Sequence, residues 1–257
     1  MSGRRASGTG LVAGVRRVRG LLPPDGLLYH DAHYLAATVE VDPAAMRRWL
    51  PAGLRLTSPA RADVITAWFP QTSFGSRYHE AGLFVHVRTW RGTGIHCPWM
   101  ILDDDVALIL GREVLGYPKK LGEIDWRFDG TGRDAPFAVR ASRRGAALVS
   151  MTGTVGEVLD DAPPILGRPH RNVVGTLGLA LPRVVGFTPG EHVREVRRVD
   201  LDLEIGGSDR DPLHLMGLGD VVDARLHRVD LSAGRPPVPL RPLTPLHALS
   251  TLRPRVL

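Results

Sequence analysis

The sequence predicts an α+β fold that is mainly antiparallel β, and three observations support this prediction. Short runs rich in β-branched and aromatic residues recur along the chain, and Gly, Pro or Asp bounds each run. Tight turns such as Gly92-Thr93-Gly94 and Asp129-Gly130-Thr131-Gly132 are expected between neighbouring runs. Only two stretches carry the start and stop signals of helices, so a few helices should flank a sheet.

Strands are expected at residues 34–41, 62–69, 83–90, 124–128, 137–141, 147–155, 196–205 and 221–231. These runs have the β-branched and aromatic side chains that pack well on a pleated surface. The first helix should follow the first strand, because Asp42 is a suitable N-cap and Pro43 fits the first helical position. Pro51 should end this helix.

The second helix is expected to begin among Asp103, Asp104 and Asp105. Their carboxylates can accept hydrogen bonds from free amides and favour the positive end of the helix. Gly116 fits the C′ position, where a left-handed conformation commonly ends a helix. The pattern therefore places a helix immediately before the segment Tyr117-Pro118-Lys119-Lys120.

The length of 257 residues and the hydrophobic content of 43% are enough for one large domain with a buried core. Residues 1–20 contain no acidic residue and are expected to form a flexible basic tail. No repeat, low-complexity linker or change of composition marks a boundary between residues 21 and 257. A single domain is therefore predicted over residues 21–257.

Composition also argues against several partners. No run of about 18 apolar residues occurs, so no membrane partner is expected. The net charge of +6 would suit a nucleic acid, but the arginines are scattered and often adjoin acidic residues, so none is expected. Cys97 is the only cysteine, which excludes an internal disulfide and favours a cytoplasmic location. His30 and His33 lack an evident third ligand, so no metal site is predicted.

The two lysines are the most informative residues of the chain. Of 33 basic residues, only Lys119 and Lys120 are lysine, and they are adjacent. A lysine amine can lose its proton near neutral pH and attack a carbonyl, whereas a guanidinium cannot. The alternative is that the pair stabilises the negative end of a helix by about 0.3–1 kcal/mol, which arginine would do equally well. The pattern favours an enzyme in which a lysine amine attacks a carbonyl compound.

A second pair of polar residues lies upstream. Tyr78 and Glu80 are two residues apart just before a predicted strand, so their side chains can face one cavity. A phenol and a carboxyl group there could move the protons that Schiff-base chemistry requires. The alternative is a surface pair at the start of a strand.

Residues 111–123, GREVLGYPKKLGE, resemble the nucleophile segment of the acetoacetate decarboxylase family. Residues 103–123, the segment Tyr78-His79-Glu80, the helix before Leu50-Pro51 and the Pro-rich residues 21–24 follow the order and spacing of that family. The resemblance implies a β cone or barrel with a few flanking helices, assembled into a homo-oligomer and working without a cofactor. It also implies that Lys119 is the Schiff-base nucleophile, Lys120 its cationic neighbour and Glu80 the active-site carboxylate. The implied activity is that of a carbon–carbon lyase that decarboxylates a keto acid.

A nucleophilic lysine needs a site that favours its neutral form. Desolvation lowers the pKa of a buried lysine by up to roughly 3–5 units, whereas a cation about 10 Å away contributes near one unit. We therefore expect burial to matter more than the charge of Lys120. Consecutive residues of an extended chain point to opposite faces, so Lys120 should point away from the Lys119 amine.

Four positions bear on the substrate. Ala32 and Ile65 stand where the family's decarboxylases carry arginine and glutamate, which predicts a less polar pocket and a substrate bulkier than acetoacetate. Leu115 stands where an aldolase-dehydratase branch of the family carries glutamine, and Tyr117 is close to it in sequence. With Tyr78, these residues are predicted to contact the keto acid. The alternatives are an aldolase-dehydratase of secondary metabolism and a non-catalytic member that binds a carbonyl compound.

Overall fold

The computed structural model describes residues 26–128, 132–160, 162–175, 182–234, 236–244 and 246–247. The predicted tail at residues 1–20, the Pro-rich residues 21–24 and most of the predicted turn at 129–132 lie outside this part. Its helices are α1, Pro43–Met46, and α2, Asp105–Glu113, with 3-10 turns at Arg47–Trp49 and Leu213–Leu215. No helix in the described ranges has the length and apolarity needed to cross a membrane.

The described strands form one sheet of 15 strands. The strands are β1 Leu27–Val41, β2 Arg55–Leu56, β3 Arg61–Phe69, β4 Gln71–Thr72, β5 Tyr78–Thr89, β6 Gly92–Leu102, β7 Lys119–Leu121, β8 Glu123–Phe128, β9 Pro136–Arg143, β10 Ala146–Val158, β11 His170–Val174, β12 Arg183–Phe187, β13 Gly190–Ile205, β14 Leu218–Ala233 and β15 Val238–Pro242. Their order is β15-β12-β11-β6-β5-β3-β1-β14-β13-β10-β9-β8, with β2 beside β5, β4 beside β1 and β7 beside β6.

Nearly all neighbouring strands are antiparallel, and β6 makes the parallel pairings of the described sheet, with β7 and β11. The prediction of a mainly antiparallel fold with few helices is confirmed. The hydrogen-bonded order ends at β8 and β15, so the described strands do not close into a ring. A cone or barrel is therefore only a loose description of this sheet.

Each predicted strand overlaps an observed one, but seven observed strands were not predicted, namely β2, β4, β6, β7, β11, β12 and β15. The predicted turn at residues 92–94 is wrong, because these residues begin β6 and the hairpin turn lies at Trp90 and Arg91. Gly92 has a φ of +99°, which reverses the chain directly after this short turn. The interior of β6 contains Pro98 and polar residues, and this composition hides a buried strand from pattern analysis.

Both helices begin where predicted and end earlier. The side chain of Asp42 accepts a hydrogen bond from the Ala44 amide at 2.8 Å, and that of Asp104 accepts one from the Ala107 amide at 2.7 Å. Helix α2 ends at Glu113, and Gly116 lies beyond it with a φ of +72°. A Cβ atom at Gly116 would lie 2.7 Å from the Val173 carbonyl oxygen, so glycine is required there.

The sheet separates two hydrophobic cores, as the alternation along β1 shows. Leu35 and Ala37 belong to the first core, whereas Tyr34 and Ala36 belong to the second. The second core contains the residues around Lys119 and is described next.

Candidate active site

Strand β7 directs the two lysines to opposite faces of the sheet. Lys119 pairs with Met100 of the second core, and Lys120 pairs with Ile101 of the first core. Lys119 Nζ lies 2.6 Å from Glu80 Oε2, whereas the Lys120 ammonium contacts the Asp211 carboxylate. The two amines therefore have different partners, as strand alternation predicts.

The Lys119 side chain is held between aromatic rings and a helix. It is 4% exposed, and Nζ lies 5.4 Å from the centre of the Tyr78 ring and 5.7 Å from that of Tyr117. On the other side, helix α2 presents Gly111, where a Cβ atom would lie 2.5 Å from Cδ and Cε of Lys119. The lysine stem thus packs directly on the helix backbone.

The Lys119 amine faces a cavity of about 50 Å³. Its walls are mainly aromatic and aliphatic, and they comprise Tyr29, Phe69, Tyr78, Glu80, Leu115, Tyr117, Lys119, Leu166, His170, Phe187, Pro189, Leu231, Ser232 and Ala233. No arginine lines the cavity in the described part of the chain. The site is therefore an apolar pocket with a lysine, a carboxyl group and several hydroxyl groups in its wall.

Five of the predicted residues come together in this wall, namely Lys119, Glu80, Tyr78, Leu115 and Tyr117. Tyr78 and Glu80 lie on the same side of β5, as their spacing predicts. Glu80 Oε2 is within ion-pair distance of Lys119, although the angles of this contact are not those of a hydrogen bond.

Ala32, Ile65 and Lys120 are not among the residues that line the cavity. Ala32 and Ile65 are buried in the same core, on strands β1 and β3, where neighbouring side chains cover them. Lys120 points to the other face of the sheet for the reason given above. The structure thus does not bring these three predicted residues to the Lys119 amine.

Lys120 belongs to a buried ionic cluster. Asp211 accepts hydrogen bonds from Lys120, from Trp99 Nε1 at 3.0 Å and from Arg143 Nη1 at 2.8 Å. Burial lowers the pKa of Lys120, and the hydrogen bond to Asp211 acts in the opposite direction. The cluster joins β7, β6, β9 and the loop before the second 3-10 turn.

The phenols around the amine are held in the neutral form. Burial raises the pKa of Tyr78 and Tyr117 well above the ordinary value, and the charge of Glu80 adds to the effect. Burial also raises the pKa of Tyr29, with Glu80 as the second cause. These hydroxyl groups can donate hydrogen bonds at neutral pH without ionising.

Several wall residues were missed by the sequence analysis, chiefly Tyr29, His170 and Phe187. Tyr117 and His170 are hydrogen bonded at 3.0 Å, and His170 stacks on Phe187. The strands that carry them are far apart in sequence, so no local motif signals the cavity. Within the described ranges, no three His, Cys, Asp or Glu residues cluster as metal ligands.

A sequence profile of the family described as acetoacetate decarboxylase (ADC) matches residues 16–243. The chain belongs to the acetoacetate decarboxylase family. Among curated relatives, the acetoacetate decarboxylase of Chromobacterium violaceum is 35% identical over 102 residues, which are 39% of this chain and 41% of that protein. The first relatives of this family thus match over about two-fifths of their own length.

Solved structures of the acetoacetate decarboxylase family have the same fold. The acetoacetate decarboxylase of Legionella pneumophila aligns with a TM-score of 0.73 at 15% identity, over 84% of this chain and 87% of that one. The enduracididine biosynthesis enzyme MppR, solved with the condensation product of pyruvate and imidazole 4-carboxaldehyde, aligns with a TM-score of 0.71 at 20% identity. That alignment covers 84% of this chain and 90% of MppR. At these identities the likeness establishes the fold alone.

Proposed function

We propose that the chain is a cofactor-independent Schiff-base lyase that decarboxylates a β-keto acid through the amine of Lys119. The observation that carries this proposal is the 2.6 Å contact between Lys119 Nζ and Glu80 Oε2 in the wall of an apolar cavity. A buried lysine amine is a suitable nucleophile for a carbonyl, and a carboxyl group beside it can exchange protons with it.

The first step is the transfer of a proton from Lys119 Nζ to Glu80, which leaves a neutral amine beside a neutral carboxylic acid. The amine lone pair attacks the ketone carbon, the C=O π electrons move to oxygen, and one proton passes from the nitrogen to this oxygen to give the carbinolamine. Glu80 then returns its proton to the carbinolamine oxygen, which leaves as water while the iminium forms. The neutral form of Glu80 also spares the incoming substrate carboxylate from like-charge repulsion.

The iminium next accepts the electron pair of the C–C bond to the carboxylate. Carbon dioxide leaves, and a neutral enamine remains on Lys119. The apolar walls favour this step, because it removes a positive and a negative charge from a site where charges are poorly solvated. A proton taken from solvent through Glu80 goes to the enamine carbon, and water then hydrolyses the iminium to the ketone and the free amine.

The cavity wall supports a substrate with an apolar tail longer than that of acetoacetate. Without an arginine in the described wall, a short keto acid lacks a charge-assisted contact that typically contributes about 1.5–3 kcal/mol. Burial of a methylene contributes about 0.8 kcal/mol, or roughly a fourfold gain in kcat/KM. The gain should end when the tail reaches the far wall of the cavity.

Reductive trapping with borohydride tests the proposal. Wild-type protein is incubated with acetoacetate, with pyruvate and with β-keto acids of increasing tail length, and the adduct is located by mass spectrometry. We expect an adduct on Lys119, release of carbon dioxide, and a kcat/KM that rises from acetoacetate to an intermediate tail length. Absence of any adduct on Lys119 would contradict the proposal and favour a carbonyl-binding protein without turnover.

Lys119→Arg is the matched variant for this experiment. A guanidinium keeps the positive charge but is not a nucleophile, so trapping and turnover should both be lost while the protein keeps the wild-type circular dichroism spectrum. Adducts with pyruvate but no carbon dioxide from any β-keto acid would instead favour aldol chemistry on the same lysine.

A further inference from the structure

His170 is a fully buried histidine whose two ring nitrogens both have partners. Nε2 lies 2.9 Å from the Leu166 carbonyl oxygen, and Nδ1 lies 3.0 Å from the Tyr117 hydroxyl. A carbonyl oxygen only accepts hydrogen bonds, so Nε2 carries the proton. Burial lowers the pKa of His170 to about 4, which keeps the ring neutral at pH 7. Nδ1 therefore has a free lone pair, and the Tyr117 hydroxyl donates to it.

Neighbouring rings fix both partners of this hydrogen bond. The His170 ring stacks on Phe187 with 4.8 Å between ring centres and 11° between planes. The Tyr117 ring stands edge-on to Phe187 at 5.9 Å and to Phe84 at 6.3 Å. The hydroxyl of Tyr117 is thus held against His170, while its ring lies 5.7 Å from Lys119 Nζ.

We propose that His170 is a positioning residue that keeps the hydroxyl proton of Tyr117 away from the Lys119 amine. This inference rests on the proposed function, in which the lone pair of that amine attacks the substrate. Without His170, the Tyr117 hydroxyl would need another acceptor, and the Lys119 amine and Glu80 lie in the same cavity wall. A hydrogen bond to either group would compete with nucleophilic attack or with proton transfer. By accepting this hydrogen bond, Nδ1 leaves Tyr117 to act only as part of the cavity wall beside the amine.

The proposal predicts a rescue between two substitutions. His170→Phe keeps the ring stacked on Phe187 but removes the acceptor, and we expect kcat to fall about tenfold, with KM changed by less than about twofold. Adding Tyr117→Phe removes the released hydroxyl, so the double variant should regain the kcat of Tyr117→Phe alone. His192→Phe, at an exposed position of β13, is the matched control and should keep wild-type kcat. A double variant whose loss equals the product of the two single losses would overturn the proposal.

The proton position can also be measured without any substrate. ¹⁵N NMR of the wild-type protein at pH 7 should show a protonated Nε2 and an unprotonated Nδ1 for His170, and Tyr117→Phe should shift mainly the Nδ1 signal. A proton on Nδ1 would overturn the proposal even if the variants fail to fold. Because this measurement needs no turnover, its outcome is independent of whether the wild type forms an adduct on Lys119.

Discussion

Adjacent residues in this chain can have different environments and contacts, and Lys119 and Lys120 are the clearest example. Lys119 lies in the cavity wall, whereas Lys120 contacts Asp211 together with Arg143 on the other face of the sheet. A charge on the far side of a sheet affects an amine less than the local solvent exclusion does. Lys120 should therefore contribute to stability more than to the activation of Lys119.

Lys120→Met tests this division. The substitution removes one donor from a buried carboxylate that keeps its bond to Arg143, so the free energy of unfolding should fall by about 1–3 kcal/mol. The acidic midpoint of the pH–rate profile should rise by no more than about one unit. Arg143→Met removes the other cation of the cluster and should lower stability without moving the midpoint. A shift of three units in Lys120→Met would mean that its charge activates Lys119.

His227 has an unusual environment for a fully buried histidine. Its ring stacks on Tyr34 with 4.5 Å between centres, but neither ring nitrogen has a hydrogen-bond partner among the described residues. An unsatisfied buried polar group costs about 1–3 kcal/mol. His227→Phe keeps the stacked ring and removes that cost, so the free energy of unfolding at pH 7.5 should increase by a similar amount. Urea unfolding measures this change, and a less stable variant would show that His227 has a partner.

At the scale of single elements, helix α2 and strand β7 form one unit, because the stem of Lys119 packs where Gly111 has no side chain. Gly111→Ala places a methyl group 2.5 Å from Cδ and Cε of Lys119, and the flexible stem must move away. Displacement of a catalytic atom by about 1 Å can lower turnover about a hundredfold. The same change favours the helix by up to about 1 kcal/mol. We therefore expect a protein that is no less stable but has much lower kcat.

Gly132→Ala is the control for this experiment, because an added Cβ at Gly132 meets no atom within 4 Å. Its thermal midpoint and kcat should match those of the wild type. If Gly111→Ala also kept full activity, the contact between helix and lysine would not position the amine.

The same two elements show how far sequence alone can predict this molecule. The caps at Asp42 and Asp104, the strand periodicity and the opposite directions of Lys119 and Lys120 follow from local rules and agree with the structure. The cavity does not follow from them, because Tyr29 and His170 meet Lys119 only through long-range strand pairing. Strand β6 was not predicted for a related reason. Its stability comes from neighbouring strands on both sides, and its own sequence contains a proline.

For the whole molecule, the buried histidines predict how stability changes with pH. Burial lowers the pKa of His170 to about 4 and that of His227 to about 3, from an ordinary value of 6.5. Between these values and 6.5 the unfolded chain binds more protons, so the free energy of unfolding must fall as the pH decreases. At pH 5 the loss is on the order of 2 kcal/mol for each histidine. Glu191, whose pKa is raised by burial, acts in the opposite direction above pH 4.5.

Urea unfolding at pH 7.5 and pH 5.0 checks this prediction. The wild type should be less stable at pH 5.0, and His227→Phe should lose less stability between the two pH values. His192→Phe, which alters an exposed histidine, should show the wild-type difference. If His227→Phe lost as much stability as the wild type between the two pH values, His227 would not contribute to the difference.

The burial of both lysines has a consequence for the chemical reactivity of the protein. The chain has no other lysine, and the two side chains are 4% exposed. Its exposed basic side chains are therefore guanidinium groups, which amine-directed crosslinkers and acylating reagents leave unmodified. Sugars and other bulky aldehydes cannot glycate a surface lysine, because both lysines are buried. A carbonyl compound small enough to enter the cavity can contact Lys119. Size is therefore one property that decides which aldehydes and ketones reach Lys119.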